Sequence, residues 1–78
     1  MTWITTKKTI KKKFKFKSFD ESIKFLNKIA EISKKLNHHP EIIIKFDEVW
    51  IKLQTHDAGS IVTKKDYNFA KIVDEITK

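Results

Sequence analysis

Hydrophobic and polar positions change period several times along this chain, and each change marks an element. From Trp3 to Thr6 a short apolar stretch predicts a strand, with Lys7-Lys8 as a turn. Thr9 to Lys17 alternates: Lys11, Lys13, Lys15 and Lys17 fall on one face, and Ile10, Phe14 and Phe16 on the other. Ser18-Phe19-Asp20-Glu21 fits a capping box, with Ser18 as N-cap and Glu21 reaching back. A helix then runs to about Leu36. Ile23, Leu26, Ile29, Ala30, Ser33 and Leu36 mark its inward stripe, widened by Phe25 and Ile32. Asn37 and Pro40 end it.

Period two returns at Glu41 and lasts to Thr55. Ile42, Ile44 and Phe46 alternate with Ile43 and Lys45, and Val49, Ile51 and Leu53 with Trp50, Lys52 and Gln54. Two such runs about a short polar break predict a β-hairpin. A turn centred on Asp47-Glu48 sets Phe46 opposite Val49, Ile44 opposite Ile51 and Ile42 opposite Leu53. The same register, extended, brings His39 beside His56. Asp57 to Val62, with the only glycine, Gly59, is a loop. Thr63 and Asp66 form a second capping box, and a helix follows to about Thr77 with Phe69, Ala70, Ile72, Val73 and Ile76 on its apolar face. The order β-β-α-β-β-α predicts an α+β, two-layer fold: an antiparallel four-stranded sheet with both helices on one face.

A chain of 78 residues forms one domain, spanning 1–78, with a small core. It has no cysteine, so thiolate chemistry and disulfides are excluded. No apolar run is long enough for a membrane span, and the N-terminus lacks the apolar core of a signal peptide. A soluble cytoplasmic protein is expected. The net charge of +7 rests on 17 basic residues, all lysine. Without arginine, bidentate readout of guanine or phosphate is missing. The lysine strand is therefore read as a solvated face that discourages edge aggregation, and sequence-specific nucleic-acid binding is not expected.

The candidate chemistry lies in the histidines, His38, His39 and His56. Imidazole exchanges protons near neutral pH, and the hairpin register gathers the three. Exposed loop histidines without a task are one alternative. A zinc site is another, but the tandem pair points its rings apart, and no zincin spacing or cysteine pair is present. Asp66 either caps its helix or orients a histidine, and one carboxylate could do both.

Lys34, His38-His39-Pro40, Phe46, His56 and Asp66, at these spacings, resemble the signature of the pterin-4a-carbinolamine dehydratases, whose animal members also serve as dimerisation cofactors of a homeodomain transcription factor. Trp3, Phe14-Lys15-Phe16, Ser18-Phe19, Thr55-His56-Asp57 with Gly59, and Ala70 extend the resemblance over nearly the whole chain. It departs at Lys34, where many members carry glutamate, at Asn37, where animal members have aspartate, and at Ser60, where a second glycine is usual. The resemblance implies dehydration of 4a-hydroxytetrahydropterin to quinonoid dihydropterin, downstream of an aromatic amino-acid hydroxylase. It implies His38, His39 and His56 as catalytic residues, with Asp66, Lys34 and Pro40 binding or orienting substrate. The pterin is the substrate, and no metal or organic cofactor is required. A homodimer or homotetramer joined through its sheets is implied. The alternative is a member with weak catalysis that acts as a dimerisation or protein-binding module.

Overall fold

Alternating residues build the sheet and two capped amphipathic segments build the helices. The computed structural model describes residues 3–55, 59 and 61–77. The elements are β1 (Ile4–Thr5), β2 (Ile10–Lys15), α1 (Phe19–Leu36), β3 (Glu41–Lys45), β4 (Glu48–Leu53) and α2 (Lys64–Ile76). All strand pairs are antiparallel, and the sheet order is β1-β2-β4-β3. The expected α+β architecture is observed. Ile10 and Phe14 of β2 and Val49, Ile51 and Leu53 of β4 bury one sheet face against Phe25 and Ile29 of α1 and Phe69, Ala70 and Val73 of α2. Among the described residues, no helix is long and apolar enough to cross a membrane.

The hairpin register differs from the expected one by two residues. Ile44 pairs with Val49, Ile42 with Ile51 and Glu41 with Lys52. The turn is Phe46-Asp47, and Glu48 already belongs to β4. Phe46 takes a left-handed φ of 41°, which sequence rules give to Asn or Gly, so the turn carries no residue that announces it. A shift of two preserves which residues share a face, and the core face is as anticipated. It does not preserve partners. Continued past the strand, this register sets Gln54 opposite His39.

Helix α1 starts at Ser18, whose hydroxyl accepts the Glu21 N–H at 3.2 Å. Glu21 reaches back one residue further than a capping box requires: its Oε2 accepts the Lys17 N–H at 3.0 Å. The inward stripe is rotated from the expected one. Ser22, Phe25, Ile29 and Ser33 are buried, Ile23 and Leu26 are half-buried, and Ala30 is exposed. The serines can face the core because each hydroxyl donates to its own helix, Ser22 to Ser18 O at 3.3 Å and Ser33 to Ile29 O at 2.8 Å. Lys12 also departs from strand alternation read as lysine-out. It shares the helix-facing side with Ile10 and Phe14, and its Nζ lies 2.8 Å from Asp74 Oδ1.

Candidate active site

α1 ends where the site begins. Asn37 adopts a left-handed conformation (φ 50°, ψ 44°), and the His38 N–H donates to Ser33 O at 3.2 Å. Asparagine tolerates this conformation, and the cap turns the chain so that the His38 side chain points inward. Its ring stands edge-on to Phe69 of α2, with centroids 6.2 Å apart, and only 11% of the side chain is exposed.

His38 Nε2 lies 2.6 Å from Asp66 Oδ1. Asp66 is fully buried near the start of α2. Its other oxygen, Oδ2, accepts the Thr63 N–H and the Thr55 hydroxyl, both at 2.8 Å. Thr55 has one hydroxyl proton and gives it to Asp66, so in the 2.6 Å contact between the two threonine hydroxyls Thr63 is the donor. The Thr63 hydroxyl therefore serves Thr55, while the Asp66 carboxylate caps the helix. The two roles weighed for Asp66 are both present: one oxygen caps, the other holds an imidazole.

This arrangement orients the His38 ring. Nε2 is placed to donate to Asp66 Oδ1, which leaves Nδ1 as the ring nitrogen turned away from the carboxylate. Three donors compensate the burial of the Asp66 charge, which otherwise would be costly. Among the described residues, no group of three potential ligands is placed to hold a metal.

The remaining candidates are placed differently. His39 is exposed and lines a groove of about 280 Å³ with Pro40, Glu41, Lys52 and Gln54. Lys34 is exposed on the last turn of α1. His56 lies outside the described residues, and with it the proposed His39–His56 pairing, whose register premise the strand pairing corrects. The capping box expected of Thr63 and Asp66 is observed, but sequence reasoning missed Thr55 as the second threonine that holds Asp66. A signal was available: Thr55 continues the inward series Val49, Ile51, Leu53, and a hydroxyl at a core position needs a partner.

Comparison with known proteins shows the family of the chain. Residues 1–76 match the family model described as pterin 4 alpha carbinolamine dehydratase. A protein of Prochlorococcus marinus (strain NATL2A), provisionally named a pterin-4-alpha-carbinolamine dehydratase, is 43% identical over 75 residues, covering 96% of this chain and 78% of the relative. A provisionally named dehydratase of Sulfurisphaera tokodaii is 42% identical over 74 residues, or 95% and 78% of the two chains. A crystal structure of a transcriptional coactivator/pterin dehydratase from Brucella melitensis superposes with a TM-score of 0.89 at 31% identity, over 97% of this chain and 82% of that one. A pterin dehydratase-like protein identified as a RuBisCO assembly factor of the alpha-carboxysome shares the fold, with a TM-score of 0.76 at 24% identity over 95% and 84% of the chains. The chain belongs to the pterin-4a-carbinolamine dehydratase family.

Proposed function

We propose that this protein dehydrates 4a-hydroxytetrahydropterin to quinonoid dihydropterin by histidine acid–base catalysis. The observation that carries it is the contact of 2.6 Å between the buried Asp66 carboxylate and Nε2 of the nearly buried His38, where the end of α1 meets the start of α2. A base withdraws the N5 proton, the freed electron pair closes a C4a–N5 double bond, and the C4a–O bond breaks. The hydroxyl takes a proton from an acid and leaves as water. An imidazole with one nitrogen held by a carboxylate suits either proton transfer, because the carboxylate also stabilises the imidazolium. We assign His38 one transfer, through Nδ1, and keep His39 and His56 as its partners for the other. Lys34 and Pro40 are assigned to the substrate's surroundings. A homo-oligomer, a cytoplasmic location and an aromatic amino-acid hydroxylase upstream go with this assignment.

A second function, a binding module with little turnover, is favoured by the fold's occurrence in a protein identified as a RuBisCO assembly factor. Stopped-flow dehydration of a 4a-hydroxypterin separates the two. The enzyme should exceed the spontaneous rate, and His38→Ala should lose about a hundredfold or more, the usual scale for a missing general acid or base. Wild-type turnover equal to the spontaneous rate would leave only the binding module.

A further inference from the structure

The sheet face turned away from the helices carries a pattern that the dehydratase chemistry does not use. Register assigns its residues in three rows across the strands. Ile4, Lys11, Lys52 and Glu41 form the first, Lys13, Trp50 and Ile43 the second, and Lys15, Glu48 and Lys45 the third. The face thus holds five lysines against two glutamates, with Trp50 at its centre on an inner strand. One glutamate is already partnered: Lys52 Nζ lies 3.6 Å from Glu41 Oε1. Ile43 beside the indole is 47% exposed, so the centre of this face is open and apolar. Lys11 Nζ stands 5.9 Å from the Trp50 ring centroid. A shallow depression of about 330 Å³ is lined by Lys11, Glu41, Ile43, Lys45, Trp50 and Lys52.

We propose that this face binds single-stranded nucleic acid without sequence preference. A four-stranded sheet backed by two helices, with an aromatic ring on its open side, is an arrangement on which an unpaired base can stack. The rows on either side of Trp50 put ammonium groups on both sides of a stacked base, where the sugar–phosphate backbone must run. Neighbouring strands lie about 4.8 Å apart, so the four span about 15 Å, enough for only two or three nucleotides. Lysine meets phosphate as a point charge, and the absence of arginine removes the fork that reads guanine, so selectivity for sequence is not built in. A duplex has its bases already stacked inside and offers Trp50 nothing beyond charge. Glu41 and Lys52 at its edge also line the groove of His39, but Trp50, Lys11 and Lys13 do not, and the proposal does not depend on the dehydratase assignment.

The test uses the full chain and a fluorescently labelled twelve-residue oligothymidylate, read by anisotropy at low salt. Binding should weaken roughly tenfold or more in Trp50→Ala, the scale of a lost stacking contact. It should fall likewise in a Lys11→Gln, Lys13→Gln double variant. For two to three phosphates on a single strand, log K should fall with log salt at a slope of about −1.4 to −2.1. Dehydration should be unchanged in both variants. The wild-type protein supplies a readout free of folding effects. It has two indole N–H groups, and that of Trp3 is held by Asp74 at 3.0 Å. The Trp50 resonance should move on titration while the Trp3 resonance stays. Equal affinity for a duplex of the same length, equal competition by polyglutamate, or an unmoved Trp50 resonance would each overturn the proposal.

Discussion

Asp66 is the residue on which the most depends. Its carboxylate accepts from three donors, on β4's continuation, at the cap of α2 and at the end of α1. Thr55→Val keeps the shape and removes one of these donors, and it also leaves the Thr63 hydroxyl without its acceptor. A hydrogen bond to a buried charge contributes about 2 kcal/mol, so Thr55→Val should lower stability by that order in urea denaturation. The same variant should dehydrate more slowly than wild type but faster than His38→Ala, because the imidazole still meets Oδ1. Equal rates for Thr55→Val and wild type would show that the threonine serves the fold alone. Asp66 was legible from the chain because a carboxylate three residues after Thr63 has a capping use, and because the family signature includes it. Thr63 was legible with it, through the capping box, whereas Thr55 needed the strand's inward series to be carried two residues beyond its last apolar member.

Among the elements, the β3–β4 hairpin separates what pattern reveals from what it conceals. Period two gave the strands and their buried faces, and the observed core agrees at Ile42, Ile44, Val49, Ile51 and Leu53. The turn escaped because Phe46 has no preference for the left-handed region it occupies, and a register error of two costs nothing in facial pattern. The positive φ supplies a prediction. A non-glycine side chain there costs about 1 kcal/mol that asparagine largely avoids. Phe46 is 70% exposed, so its replacement forfeits little burial. Phe46→Asn should therefore raise the unfolding free energy by about 1 kcal/mol. Unchanged or lower stability would mean that the ring's contacts outweigh the backbone term. In α1 the concealed part was its rotation. Spacing anticipated Ser33 in the stripe, but hydropathy cannot anticipate that Ser22 goes inward as well, since its cost is removed by a backbone acceptor within the same helix.

At the scale of the whole molecule, a polar cluster joins the two ends of the fold. Trp3 Nε1 donates to the Asp74 carboxylate at 3.0 and 3.1 Å, and Lys12 Nζ meets the same group at 2.8 Å. Lys12 also lies over Phe14 and Trp3, at 5.0 and 5.7 Å from their ring centroids. Its side chain is 11% exposed while that of Asp74 is 42% exposed. The cation is thus committed to the interior and its counter-ion is partly in water. Removing Asp74 leaves an ammonium and an indole N–H without their acceptor. Asp74→Ala should cost about 1–3 kcal/mol, below the scale of a fully buried pair because water reaches the carboxylate. Adding Lys12→Met should restore part of that loss by replacing an unpaired charge with an apolar side chain of similar length. A double variant no more stable than Asp74→Ala would place the loss in the Trp3 contact instead.

The Trp3–Asp74 contact also brings the start of the sheet beside the last helix, close enough for the two to be joined. With residue 3 touching residue 74, a short flexible linker from Thr77 to Trp3 has little distance to span. The chain can then be reopened between Lys7 and Lys8, two exposed residues in the bend between β1 and β2. Such a circular permutant would deliver β1 from the far end, after α2, rather than ahead of β2. It should fold to the same sheet and retain the dehydration rate of the parent, measured in the same stopped-flow assay. A permutant that unfolds would show that the β1–β2 connection must be covalent for the edge strand to dock.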